Sequence, residues 1–234
     1  MQFPTPLFPG VLLRRYQRFK ADVRLDNGSI ITAHCPDPGR MTGVAEPERP
    51  VLLSLSERQN RKLPYTLELI RLDHTWVSIN TQRPNQLVAE ALSRERLPEL
   101  RGFPAFRREV AYAGGSRIDF LLEDGLHTCY LEVKGVSWVE DGIALFPDAV
   151  TDRGQKHLRS LMAMRRSGHA AILLFIVARE DARCLHPADR VDPEYGRLLR
   201  EAADAGVTVL AYGTRISPPV MDIGTALPVH LAPH

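Results

Sequence analysis

The stretch Ser116-Arg117-Ile118-Asp119-Phe120-Leu121-Leu122-Glu123-Asp124-Gly125-Leu126-His127-Thr128-Cys129-Tyr130-Leu131-Glu132-Val133-Lys134 sets two apolar runs on either side of an Asp-Gly pair. Asp-Gly between such runs is a strong hairpin signal, because a two-residue turn of this type wants positive φ at both central positions. With Asp124 and Gly125 as the turn, Glu123 pairs with Leu126 and Asp119 with Tyr130. Strand residues i and i+2 share a face. Asp119, Glu132 and Lys134 therefore converge on one side, with Asp119 diagonal to Glu132. Ile118, Phe120, Leu122, Leu131 and Val133 take the opposite face and are expected in the core. On this reading both acids sit on a polar face, and either can be removed without loss of the fold.

Two carboxylates in a cleft suit a hard divalent cation such as Mg²⁺ or Mn²⁺, which takes oxygen ligands and keeps several waters. A cation held by Asp119 and Glu132 can polarise a phosphodiester and orient a water, and Lys134 can offset developing charge. The plain alternative is a hairpin whose Glu and Lys point at solvent.

The 234 residues allow two modest domains or one large one. A hydrophobic content of 44% and a charged content of 25% describe an ordinary globular protein. The net charge of +2 is too small for a global pull on nucleic acid, so any basic surface must be local. Cys35, Cys129 and Cys184 are far apart with no Cys-x-x-Cys, which speaks against a disulfide framework or zinc ribbon and fits a reducing compartment. No apolar run is long enough to span a bilayer and no leader pattern opens the chain, so a cytoplasmic protein without a membrane partner is expected.

Residues 1–80 read as strands and turns: an extended stretch Leu12–Leu25, then Ile30–Cys35, Val51–Leu55, Tyr65–Leu72 and Trp76–Ile79. About five short strands without a helix suggest a small barrel of the OB type. Arg14, Tyr16, Arg18 and Lys20 share one parity, and bases interleaved with an aromatic suit a phosphate backbone and a stacked base. A solvated barrel face is the alternative. His34 beside Cys35 reads as a strand end before a rigid Pro/Gly turn, not as half a metal site.

Residues 80–86 mark the boundary between a domain 1–80 and a domain 81–234. Asn85 is placed as the cap of a helix reaching about Arg96, with Glu90 at the edge of its apolar stripe, facing either the Asp119 cleft or solvent. Arg107–Ala113 reads as a strand. Pro147 and the Thr/Asp cluster lead into a helix to about Arg166, with Leu158, Leu161 and Met162 buried. Arg153, Gln155, Lys156 and His157 crowd its first turns, at an end that favours anions or is simply polar. Ala170–Val177 is a strand buried on both faces, and a helix near Pro193–Ala205 leads to a strand at Val207–Tyr212. Strand, helix, strand implies a parallel pair with a right-handed crossover, so this part is α/β and the chain α+β overall.

This order of elements resembles the restriction-endonuclease-like PD-(D/E)xK nuclease fold. Phe3-Pro4-Thr5-Pro6-Leu7, Thr32-Ala33-His34-Cys35-Pro36, Lys62-Leu63-Pro64-Tyr65-Thr66, Ser116-Arg117-Ile118-Asp119-Phe120 and Phe146-Pro147-Asp148-Ala149-Val150-Thr151, continued by Arg153-Gly154 and Lys156-His157-Leu158, resemble the sugar fermentation stimulation protein A family over essentially the whole chain. The resemblance implies an N-terminal OB-like barrel, a nuclease-like mixed-sheet domain, DNA binding and a link to maltose metabolism. It also implies a catalytic set of Asp119, Glu132, Lys134, Glu90 and Gln155, with Asp119 and Glu132 on the metal. Arg14, Tyr16, Arg18, Lys20, Arg40, Arg153 and Lys156 are the candidate nucleic-acid contacts. The family usually reads Cys-Pro-Asn-Thr-Gly-Ser-Met where this chain has Cys35-Pro36-Asp37-Pro38-Gly39-Arg40-Met41. Pro38 removes a backbone donor, Asp37 replaces an amide with an acceptor, and Arg40 adds a cation that suits phosphate.

Three functions compete. A Mg²⁺-dependent nuclease uses both acids. A non-catalytic DNA-binding regulator of sugar metabolism genes has no need of two carboxylates that repel phosphate unless metal is bound. A sugar hydrolase needs separated carboxyls around a sugar-sized cleft, and Lys134 between them argues against it.

Overall fold

The computed structural model describes residues 1–58, 60–112 and 115–232. Its first part is a barrel built from β1 (Leu7–Tyr16), β2 (Lys20–Leu25), β3 (Ile30–His34), β4 (Pro50–Leu55) and β5 (Tyr65–Leu72), with β6 (Thr75–Ser78) added along β5. The single stretch expected at Leu12–Leu25 is a hairpin. Gln17 and Arg18 take positive φ, which folds the chain back so that Tyr16 pairs with Lys20. The antiparallel neighbours run β3-β2-β1-β4-β5, and a parallel pairing of His34 with Thr66 joins β3 to β5 and closes the barrel. Leu12, Val23, Ala33, Leu53, Leu67, Ile70 and Val77 fill it.

Then follow α1 (Arg83–Ser93), β7 (Ala105–Tyr112), β8 (Ser116–Glu123), β9 (Thr128–Val136), β10 (Val139–Glu140), β11 (Ile143–Phe146), α2 (Asp152–Arg166), β12 (Ala170–Val177), β13 (Cys184–Pro187), α3 (Pro193–Asp204), β14 (Thr208–Ser217) and β15 (Val220–Ala226). The expected strand Arg107–Ala113 is β7, and Ala113 lies outside the described residues. The main sheet runs β15-β14-β12-β9-β8-β7, with β9, β12 and β14 parallel. It is an OB-like barrel followed by a restriction-endonuclease-like mixed-sheet domain. The small sheet β10-β11-β13 was not legible, because two- and four-residue strands carry no periodicity.

The helix ends follow local chemistry. Thr151 caps α2 by accepting the Gly154 N–H at 3.0 Å, and Asp192 caps α3 by accepting the Tyr195 N–H at 2.9 Å. α1 starts two residues before the expected cap, with Pro84 in its first turn and no side-chain cap. Asn85 is thereby released for another partner. Along β12, Ile172, Leu174 and Ile176 join the core on the α1 side, while Ala171, Leu173, Phe175 and Val177 join that under α2 and α3. The centre of the main sheet is thus covered on both faces, while the edge strand β7 stays largely exposed.

Barrel and sheet domain are tied by a buried charge cluster. Glu68 on β5 is 1% exposed and accepts Arg83 Nε at 2.9 Å and Nη2 at 2.5 Å, Asn80 Nδ2 at 2.9 Å and Ser54 Oγ at 2.7 Å. Two further links reinforce it: the Ser78 N–H donates to the Ala178 carbonyl at 2.9 Å, and the Met41 N–H to the side-chain Oδ2 of Asp148 at 3.0 Å.

Candidate active site

The hairpin loop runs from Asp124 to His127, not over two residues. Asp124 Oδ1 accepts the N–H groups of Leu126 at 2.9 Å and His127 at 2.6 Å, which organises a longer turn. These bonds also hold the exposed Asp124 carboxyl down at about 2. Leu121, rather than Asp119, therefore pairs with Tyr130. The slip is by two residues, so it moves no residue across the sheet by itself and brings Asp119 level with Glu132.

The β8–β9 ladder ends at Phe120 opposite Leu131. There the Asp119 carboxylate replaces backbone, accepting the Val133 N–H at Oδ2 (2.8 Å) and Asn85 Nδ2 at Oδ1 (2.8 Å). On the other side of β8, Glu109 takes positive φ between the pairs Arg108–Phe120 and Val110–Ile118. Alternation breaks at this point. Phe120 and Leu122 pack on the α1 side as expected, but Ile118 packs under α2 and α3.

Glu132 and Lys134 point toward α2, where His157 meets them. Lys134 Nζ donates to Glu132 Oε1 at 2.7 Å, and His157 Nδ1 is hydrogen-bonded to the same oxygen. Arg153 Nε donates to His157 Nε2 at 3.4 Å. A guanidinium cannot accept, so Nε2 is the acceptor, which leaves Nδ1 to carry the ring proton toward Glu132. Glu132 Oε2 is buried and has no hydrogen-bond partner among the described residues. Burial pushes the Glu132 carboxyl up, but the His157 hydrogen bond and the Lys134 charge outweigh it and leave it below its ordinary value. Asp119 goes the other way: burial first, then the Glu132 charge, raise it to about 6.

Two expected members are engaged by other partners. Glu90 pairs with Arg94 at 2.8 Å and the Met1 amino group at 3.1 Å, and Asn85 is the α1 side chain that reaches Asp119. Gln155 donates to both oxygens of Asp192, at 3.0 and 3.2 Å, and so braces the start of α3. His157, not Gln155, is the α2 side chain hydrogen-bonded to Glu132. The expectation that both acids lie on a polar face fails for Glu132, which is 2% exposed.

On the barrel, Arg14 and Lys20 flank Tyr16, at 4.9 and 5.8 Å from its ring centre. Asp22 tempers this face by accepting Arg14 Nε at 2.8 Å and the Tyr16 hydroxyl at 3.1 Å. Arg18 sits in the hairpin turn. With Arg15 and Arg40 it lines a groove of about 620 Å³ between the barrel and residues 135–138 and 145–151. Lys156 and Arg153 are exposed on the first turns of α2. His34 stacks on Phe19, and Cys35 is buried.

Family models match the chain twice: "SfsA N-terminal OB domain" over residues 13–79 and "Sugar fermentation stimulation protein RE domain" over residues 82–219. The sugar fermentation stimulation protein homolog of Citrifermentans bemidjiense is 54% identical over 99% of this chain and 100% of its own length. The chain belongs to the sugar fermentation stimulation protein family. The family homolog of Acidithiobacillus ferrooxidans is 47% identical over 96% of this chain and 97% of its own. A solved structure of the family, Pyrococcus furiosus SfsA in complex with Ca²⁺, covers 98% of each chain at 29% identity with a TM-score of 0.90.

The departure from the usual family loop lies on the groove. Asp37 Oδ1 accepts the Gly39 N–H at 2.7 Å, a bond an Asn would also make, while Arg15 Nη2 donates to the Asp37 and Gly39 carbonyls at 2.8 Å each. Burial, then the neighbouring Asp148 charge, raises the Asp37 carboxyl. A Cβ at Gly39 would stand 2.6 Å from an Asp148 oxygen, so this position stays glycine. Arg40 is exposed at the rim. Among the described residues no helix is long and apolar enough to cross a membrane.

Proposed function

We propose that the chain is a divalent-metal-dependent nuclease acting on DNA, with Asp119 and Glu132 as the protein ligands of a Mg²⁺ or Mn²⁺ ion. The observation that carries this is the division of the Glu132 carboxylate. Oε1 is engaged by Lys134 and His157, while Oε2 is buried and without a hydrogen bond, beside an Asp119 whose carboxyl is raised to about 6. A buried acceptor without a donor is costly, and a cation relieves both that cost and the repulsion between the two acids. All-oxygen donors of this kind fit a hard cation, and the Pyrococcus furiosus family member of known structure is a Ca²⁺ complex. Bound there, such an ion supplies Lewis-acid polarisation of a phosphodiester and an activated water.

The chain's own residues supply the rest. Asn85 and the Val133 N–H fix the Asp119 carboxylate. His157 fixes Glu132, and Arg153 fixes the tautomer of His157. Lys134 cannot be a ligand, since an ammonium has no lone pair, so it holds positive charge beside the acids and positions the nucleophile. Purified protein is expected to cut DNA with Mg²⁺ or Mn²⁺ and to stop in EDTA. If wild type cuts no single- or double-stranded DNA or RNA with any divalent ion, the non-catalytic DNA-binding regulator replaces the nuclease.

Arg18, Arg40, Arg153 and Lys156 are the proposed phosphate contacts, with Arg14, Tyr16 and Lys20 as a flanking stacking surface. Arg14 already has Asp22 as its partner, so its net attraction for phosphate is small. The expected result is that Arg18→Ala with Arg40→Ala lowers the slope of log affinity against log salt by about 1–2, because each neutralised phosphate contributes roughly 0.9 to that slope. Arg14→Ala is expected to change it less. Equal slopes for the double variant and wild type would remove the groove from the binding surface.

A further inference from the structure

The edge of the small sheet brings a thiol and two imidazoles together. On β13, Cys184 and His186 are two residues apart and share a face, while Leu185 between them is fully buried on the other. The segment 228–230 lies alongside as an added edge: Leu185 pairs in parallel with Val229, its N–H donates to the Pro228 carbonyl and its carbonyl accepts the His230 N–H, each at 2.9 Å. Val229 follows Leu185 inward, so His230 comes out on the side of Cys184 and His186. The His186 and His230 rings lie 5.0 Å apart, and one donor atom from each of the three residues falls within 4.8 Å of the others. Backbone register, rather than side-chain chance, assembles this set from positions 46 residues apart in the chain.

We infer that Cys184, His186 and His230 form a binding site for a soft divalent transition-metal ion of the Zn²⁺ class, which clamps the 228–230 segment onto β13. Thiolate and imidazole are the usual donors to Zn²⁺, and three protein ligands leave a fourth position for water or an external ligand. Zinc–sulfur and zinc–nitrogen bond lengths at a tetrahedral centre put the donors about 3.4–3.6 Å apart. The contraction needed is at most roughly 1.4 Å, within reach of side-chain torsions because His230 is exposed and Cys184 and His186 are only part-buried. Binding converts the Cys184 thiol to thiolate, and its proton passes to solvent. The donors differ in kind from the oxygen pair of Asp119 and Glu132, so one chain offers a hard site and a softer one, and only the softer one has a thiolate to report its metal.

The test uses the full chain, reduced and stripped of metal by chelator, with Co²⁺ as the probe and Zn²⁺ as competitor. The expected result is a thiolate-to-Co²⁺ charge-transfer band with tetrahedral ligand-field bands, saturating at one equivalent, bleached by Zn²⁺ and untouched by excess Mg²⁺. Cys184→Ser removes the charge-transfer band. His230→Asn, at an exposed position that leaves the far-ultraviolet circular dichroism unchanged, weakens Zn²⁺ binding roughly tenfold or more, as loss of a direct ligand should. Absence of the band in wild type overturns the site. So does a band that survives Cys184→Ser, since Cys35 or Cys129 would then be its source, or a Zn²⁺ affinity that ignores His230→Asn.

Discussion

Asp119→Asn is expected to make the metal-free protein more stable at pH 8, by about 1–3 kcal/mol, while abolishing metal-dependent cleavage. The folded carboxyl titrates at about 6, whereas in an unfolded chain it titrates at about 3.9. Between about pH 4 and 6 the folded state keeps a proton the unfolded state has lost. Stability therefore falls as pH rises through that window, and above it the whole penalty stands, at most about 3 kcal/mol for a shift of some two pH units. Asparagine escapes it. Its Oδ1 takes the Val133 N–H, and Asn85 can turn its own carbonyl toward the new amide. Urea unfolding in EDTA at pH 8 and pH 4 is the measurement, with the gain confined to pH 8. Added Mn²⁺ should stabilise wild type and not the variant. A variant less stable than wild type at pH 8 in EDTA would show that the carboxylate carries no strain.

Glu132→Ala has the opposite effect on the fold. It removes the acceptor shared by Lys134 and His157 and leaves an ammonium that is largely buried without its partner. Loss of one member of a buried ion pair costs about 3–5 kcal/mol, a large part of the stability of a domain. Cleavage is lost as well, so activity alone does not distinguish the two variants and unfolding curves do. Glu132→Ala with Lys134→Met should recover most of the stability and none of the activity. A single variant as stable as wild type would show that the pair is solvated in solution.

The two acids thus share a neighbourhood and differ in role, which alternation along β8 and β9 could not reveal. Period two does bring Glu132 and Lys134 to one face, and it survives the register slip because a shift of two preserves parity. The slip arises from the Asp124 side chain, which builds its own turn and overrides the Asp-Gly preference. Ile118 departs from its expected face because the left-handed Glu109 breaks the strand pair beside it. Asn85 and His157 lie on helices whose approach to the sheet is set by packing far away in the chain. Glu90 and Gln155 sit on those same helices at plausible spacing, yet closer partners claim them: Arg94 and the Met1 amine for one, Asp192 for the other. The barrel was more legible, since its short strands and Gly/Pro turns are local, although positive φ at Gln17 and Arg18 hid a hairpin inside one apparent strand.

The buried Glu68–Arg83 cluster bears on how the protein can be taken apart. Barrel and sheet domain are recognised separately, as if they were interchangeable modules. Yet the carboxylate belongs to one and the guanidinium to the other. Cutting the chain between them, or grafting this barrel onto a foreign catalytic domain, strands an ion in each half. Recombination of the two parts is therefore penalised unless Glu68 and Arg83 travel together.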